Sequence, residues 1–206
     1  MVQQTNGSVD SARGIIRPMT GTRLRFVLAQ LGRKPGGSQA LTQMLEPADL
    51  PGLGWTVMDQ RTWRTGIDPT TDWQRRAKTA DCITAWRSFE QTGARRWLWI
   101  QATPVVDSAD AVSALSQLPA RMLRNVRAKV RVVDGREVPP PAPLTTETAW
   151  AWEQLGEGRI GESVSLTLIA AFGRNVITVA GSSLDKSWTW GEMRDLAQCQ
   201  AARLPD

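Results

Sequence analysis

Residues 163–182, SVSLTLIAAFGRNVITVAGS, carry the clearest hydrophobic and polar alternation in the chain. Val164, Leu166 and Leu168 interleave with Ser163, Ser165 and Thr167, a period of two that gives a strand one dry face and one wetter face. Gly173, Arg174 and Asn175 follow with turn chemistry, because Gly and Asn accept the positive φ of tight hairpins. Residues 176–180 then return as a second strand. The pattern predicts a hairpin at the centre of an antiparallel sheet.

Other segments read in the same way. A strand is predicted over 55–65. Two more are predicted over 83–90 and 95–103, joined at Gln91-Thr92-Gly93-Ala94. In the second of these, Trp97, Trp99 and Gln101 share one face and Leu98, Ile100 and Ala102 the other, so both faces are largely apolar and predict cover on both sides. Further strands are predicted over 126–133, turning at Asp134-Gly135, and over 148–154. Between them Pro139, Pro140, Pro141 and Pro143 make a stiff connection.

Helical spacing marks three stretches. The first, 38–45, puts Ala40, Leu41, Met44 and Leu45 on one side and is stopped by Pro47. The second opens at Asp107-Ser108, with Ser108 as N-cap and a buried stripe of Ala111, Val112, Leu115 and Leu118; Pro119 ends or kinks it. The last runs over 190–204 behind the capping-box pair Thr189 and Glu192, with Trp190, Met193, Ala197, Ala201 and Leu204 as its apolar stripe. Residues 73–80 read as loop or short helix. The class is α+β: a mostly antiparallel sheet of six or seven strands packed against helices.

The domain is predicted to span 38–206. Residues 1–37 read as a flexible tail ending in the linker Lys34-Pro35-Gly36-Gly37, with one short helix over 22–32. Leu24, Val27, Leu28 and Leu31 form the apolar side of that helix, and Arg23, Arg25, Arg33 and Lys34 flank it. Packing of this apolar side on the domain is the simplest account. A membrane-surface helix and a degenerate signal sequence are the alternatives.

Composition narrows the chemistry. At 206 residues, with 41% hydrophobic and 22% charged positions, the chain can bury a sizeable core, and no apolar run is long enough for a membrane-spanning helix. The net charge of +5 permits nucleic acid or anionic lipid as a partner without requiring either. There is no His, which removes the commonest general base and transition-metal ligand; with only Cys82 and Cys199, no structural zinc site, metal or other cofactor is expected.

Ten Trp beside three Phe and no Tyr is a lopsided aromatic content. Trp97/Trp99 and Trp150/Trp152 sit at strand spacing, so each pair forms an aromatic platform, and Gln101 and Gln154 follow on the same faces. Such platforms either fill the space between sheet and helices or line an apolar ligand cleft with a few orienting polar groups. If a ligand site exists, Trp97, Trp99, Gln101, Trp150, Trp152 and Gln154 are its candidates. Arg127, Lys129 and Arg131 would share one face of the 126–133 strand, preceded by Arg121 and Arg124, either as a solvated edge or as a stripe for nucleic acid. Nothing matches a nucleophile elbow, a phosphate-cradling loop or a dinucleotide fingerprint, and catalytic residues are expected to be none.

The segments LTQMLEPADLPGLGW, DCITAWRSFE, DSADAVSALSQL and AAFGRNVITVAGS, closed by the last helix, give the chain an order that resembles a group of actinobacterial envelope proteins. That group is typified by the extracellular sensor domain of the mycobacterial kinase PknH. The resemblance covers about residues 39–204. It implies a twisted antiparallel sheet backed by helices in the manner of the PsbP-like fold, no catalytic residues, and a ligand-sensing role in the envelope or outside the cell. In an exported protein Cys82 and Cys199 would be expected to pair. The chain departs from the group in lacking a visible export signal, which points instead to the cytoplasm, and in placing its second cysteine in the last helix. The leading expectation is therefore a non-enzymatic binding or sensing domain for an apolar small molecule or a protein partner. The alternative is a cytoplasmic protein whose basic face binds nucleic acid or an acidic partner, with nucleic acid the less expected of the two.

Overall fold

A computed structural model describes residues 36–127, 131–144, 148–158, 161–184 and 187–205. Seven antiparallel strands form one open sheet: β1 (Trp55–Arg64), β2 (Ile83–Gln91), β3 (Arg96–Pro104), β4 (Arg131–Val138), β5 (Thr148–Gly158), β6 (Gly161–Phe172) and β7 (Asn175–Ser183). Their order is β1-β2-β3-β7-β6-β5-β4, so the β6–β7 hairpin lies at the middle, as the alternation predicts. Its two-residue turn is Gly173-Arg174, with Gly173 at φ +55° and Phe172 paired to Asn175. β7 is buried along nearly its whole length and β6 from Leu166 to Ala171, the part with helices on each side of the sheet.

On the first face lie α1 (Gly36–Thr42), a 3-10 turn (Pro47–Asp49) and α5 (Trp190–Ala201). Leu98, Ile100, Leu166, Leu168, Ile177 and Val179 meet Met44, Leu45, Met193, Leu196 and Ala197 in one core. The capping box of α5 forms as expected: the Thr189 hydroxyl accepts from the Glu192 N–H, and the Glu192 carboxylate accepts from the Thr189 N–H. Polar groups lock this face. Gln200, fully buried, accepts from the Leu45 N–H at 3.0 Å and donates to the Gln43 carbonyl at 2.9 Å. Arg87 donates to the carbonyls of Leu45 and Leu41 and to Glu46.

On the second face lie α2 (Asp72–Thr79), α3 (Ser108–Leu115) and α4 (Leu118–Arg127). Trp73, Val105, Ala111, Ala114, Leu115, Trp150, Ile169, Ala171 and Val176 form a smaller core beneath them. Four details here differ from the sequence reading. The cap of α3 is Asp107, whose carboxylate accepts from the Asp110 N–H at 2.8 Å, and Ser108 is the first helical residue. Val112 is exposed while Ala114 takes the inward position, because α3 stops after two turns and tilts Ala111, Ala114 and Leu115 onto the sheet. Pro119 stands in the first turn of a new helix, where its missing N–H costs nothing, so α4 replaces the start of the predicted 126–133 strand. Strand β4 begins at Arg131 and runs through Asp134-Gly135 with a bulge between Val132 and Asp134 instead of turning there. The helix predicted over 22–32 lies outside the described residues.

Candidate functional site

Strand register brings the predicted aromatic pairs to one side of the sheet. Residues paired across antiparallel strands share a face. One row runs Trp99–Ala180–Thr167–Trp152 across β3, β7, β6 and β5. A second row runs Gln101–Thr178–Ile169–Trp150, and a third Trp97–Ser182–Ser165–Gln154. All six candidate residues thus project from the second face, with the short side chains of the central hairpin between them. Three strand spacings, about 14 Å, separate β3 from β5.

Helix cover on this face is partial. Helix α3 crosses the sheet over Ile169, Ala171 and Val176, and Trp150, 9% exposed, packs into that core. Trp150 is a structural ring. Trp152 stacks on it at 5.9 Å with an 11° tilt, and its indole N–H donates to the Gln154 side chain at 3.2 Å. Trp152, Trp97, Trp99 and Gln101 are half-buried, while Gln154 is buried. The floor between the indoles, Thr167, Thr178 and Ala180, is nearly inaccessible. Ser165 and Ser182 close the floor with a hydroxyl–hydroxyl bond of 3.0 Å.

The surface extends further than the sequence pairs indicate. Trp86 on β2 pairs with Gln101 and lies beneath the Arg61 guanidinium, 5.9 Å from its ring centroid. Gly135 on β4 faces Trp152: a Cβ at that position would sit 2.6 Å from the indole. A glycine inside a strand is the sequence signal for such a close approach, although Asp134-Gly135 equally fits a turn. Trp86 has Thr84 and Ser88 two residues to either side in place of a Trp partner, so pair spacing does not single it out.

Separately, α2 and the α3–α4 corner enclose a cleft of about 400 Å3 lined by Trp73, Gln117, Arg121 and Arg124 among others. It is the cleft between helices that the candidate tryptophans do not reach.

The basic strand stripe does not form. Arg127 falls in α4, Arg131 begins β4 and pairs with Glu157 at 3.4 Å, and Lys129 lies outside the described residues. Helix α4 takes Arg127 out of the predicted strand. The Cys82–Cys199 disulfide is also absent, since both are free thiols. Cys82 sits at the α2–β2 junction on the side of Asp110, and Cys199 points outward from α5, which packs on the opposite face. Burial pushes the Cys82 thiol up, away from a reactive thiolate.

Carboxylates with shifted acidity serve structure. The Asp110 N–H and the Arg76 guanidinium hold Asp107 below the usual carboxylate range as it caps α3. Burial pushes Glu192 up, but the Thr189 N–H and the Arg96 guanidinium outweigh it and hold it low. Among the described residues there is no cluster of Cys, Asp and Glu able to hold a metal, and no helix is long and apolar enough to cross a membrane.

The architecture is that of an open antiparallel sheet with helices on both faces. It is similar to the extracellular domain of PknH from Mycobacterium tuberculosis, with a TM-score of 0.50 at 12% identity over 80% of this chain and 94% of that one. It is also similar to an uncharacterized protein of Mycobacterium smegmatis, the Rv0999 ortholog, with a TM-score of 0.40 at 10% identity over 74% and 90% of the two chains. No protein-family model and no curated protein matches the chain.

Proposed function

We propose that the chain is a non-enzymatic binding or sensing domain whose aromatic sheet face receives an apolar small molecule or an apolar patch of a protein partner. One observation carries the reading: Trp97, Trp99 and Trp152 stand half-buried over a floor of Ala, Thr and Ser, beside the end of the sheet that α3 covers. Indoles held on a rigid sheet lose little entropy on binding and offer flat apolar area with a single donor. The half-buried Gln101 donates to Thr103 at 2.8 Å, which leaves its carbonyl oxygen to orient a bound group.

The fold shared with the PknH extracellular domain supports a sensing role by analogy. The non-catalytic part of the reading is supported by the shifted carboxylates, Asp107 and Glu192, each of which is occupied by a helix cap and an arginine.

Native mass spectrometry of protein purified from its source tests the proposal. The expected result is a co-purifying molecule or partner that is lost from the triple variant Trp97→Ala, Trp99→Ala, Trp152→Ala. Retention of the same species by the folded triple variant would remove the aromatic face as the site.

A further inference from the structure

The cleft between α2 and the α3–α4 corner has a one-sided set of unused hydrogen-bonding groups. Its apolar base is Trp73 and Leu118. The Trp73 indole N–H donates to the Gln117 side chain at 3.1 Å; an indole nitrogen can only donate, so Gln117 must present its oxygen there and its NH2 elsewhere. The Gln74 oxygen likewise accepts from the Thr70 N–H at 2.8 Å and from its hydroxyl at 3.1 Å, which fixes that amide with its NH2 unspent. Gln74 is only 7% exposed, so this is a built element of the cleft wall.

Arg121 and Arg124, one turn apart on α4, complete the lining. Most other arginines of the fold meet a carboxylate, as Arg61 meets Asp59, Arg76 meets Asp107, Arg87 meets Glu46 and Arg203 meets Asp49. Among the described residues Arg121 and Arg124 have no such partner. Two arginine side chains from α4 and two amide side chains with unspent NH2 groups, one from α2 and one from the α3–α4 corner, therefore line the same cleft. Asp68 on the rim is the opposing charge.

We propose that this cleft binds a small ligand through a phosphate group, held by Arg121 and Arg124 with the side-chain amides of Gln74 and Gln117. Donors approaching from both walls suit a tetrahedral oxyanion, which accepts from several directions, better than a planar carboxylate, which Arg forks engage edge-on. The volume of about 400 Å3 leaves room beside the phosphate for an organic body against Trp73 and Leu118. This site is separate from the aromatic sheet face, and either can stand without the other.

Calorimetric titration of the full chain with inorganic phosphate at low salt tests the proposal, with acetate as the planar comparison. Phosphate is expected to bind saturably and more tightly than acetate. Arg121→Ala with Arg124→Ala should weaken it at least about tenfold through loss of charge-assisted bonds. Both arginines are exposed on α4, so the variant is expected to fold, which circular dichroism checks. Asp68→Asn should tighten phosphate about two- to fivefold by removing a like charge from the rim. No saturable binding, equal affinity for acetate, or unchanged affinity in the folded double-arginine variant would each overturn the assignment.

Discussion

The two faces of the sheet use the same parts in opposite ways. Each sets an arginine over a tryptophan and a glycine beneath a tryptophan. On the α5 face Arg96 is 1% exposed, lies 3.8 Å from the Trp188 ring centroid, and donates to Glu192 at 2.9 Å. Trp55 packs beside Trp188 with ring centroids 5.6 Å apart, and Gly181 leaves room for the Trp188 ring, which a Cβ would meet at 2.6 Å. On the other face Arg61 covers Trp86 and Gly135 seats Trp152, yet the arginine is exposed and both rings are half-buried. The difference lies in the cover. Helix α5 carries an inward stripe of Met193, Leu196, Ala197 and Gln200 along the length of the central strands, whereas α3 covers only their Ile169–Val176 end. An aromatic cluster becomes core or surface according to whether a helix is long enough to close over it.

The largest contrast is expected between the two arginines. Arg96→Ala leaves Glu192 without its cation and opens space against Trp188, and should cost about 3–5 kcal/mol. Arg61→Ala removes an exposed pair with Asp59 and should cost less than about 1 kcal/mol. Urea unfolding of both variants checks this. Equal losses would mean that the two faces are equally closed.

The glycines sharpen the same contrast at a lower energy. Gly181→Ala forces a methyl into the ring of Trp188, which is 4% exposed and has nowhere to move, so about 1–3 kcal/mol is expected. Gly135→Ala makes the same collision with Trp152, but that half-buried ring can swing outward, and the cost should stay below about 1 kcal/mol. The open-face variant should instead redshift the Trp152 emission as the ring enters water. A redshift from Gly181→Ala with none from Gly135→Ala would reverse the assignment of the faces.

Acid should also act on the closed face. Glu192 is held below its ordinary value of 4.5, so its stabilising contribution is complete above that pH and is lost as pH falls through the lower, folded value. The stability gap between the native protein and Glu192→Gln should therefore be widest near neutrality and narrow below about pH 4.5. A gap that stays constant across that range would detach Glu192 from the Arg96 network.

Much of this architecture was legible because it depends on local period. The alternation in 163–182 placed the central hairpin, and Thr189 and Glu192 placed the start of α5. The two-sided apolarity of 95–103 placed β3 but overstated its cover, because Trp97, Trp99 and Gln101 on its second face are only half-buried. The common face of Trp97, Trp99, Trp150 and Trp152 was not legible. Within each pair it follows from spacing, but between pairs it depends on how β3, β7, β6 and β5 are registered. Helix α4 was missed because Pro119 can end a helix or begin one, and only the turn at Ser116 and Gln117 decides between them. The donor set of the α2–α4 cleft was invisible for a related reason. Gln74 and Gln117 acquire a fixed orientation only when Thr70 and Trp73 consume their oxygens, and Gln117 and Trp73 are brought together across 44 residues by the fold.

The half-buried rings of the aromatic face should show only a small stability effect, and that smallness is their signature. A fully buried tryptophan replaced by alanine costs about 3–5 kcal/mol. Trp99 is half-buried over Ala180 and Thr167, outside the core beneath α3, so Trp99→Ala should cost about 1 kcal/mol or less. Trp150, stacked beneath α3, provides the internal control and should show the full loss. Acrylamide quenching of variants that each retain one indole separates the same two populations without relying on energetics. Trp97, Trp99 and Trp152 should be quenched readily, and Trp150 should be protected. Protection of all four rings would make the second face as closed as the first and leave these tryptophans a purely structural role.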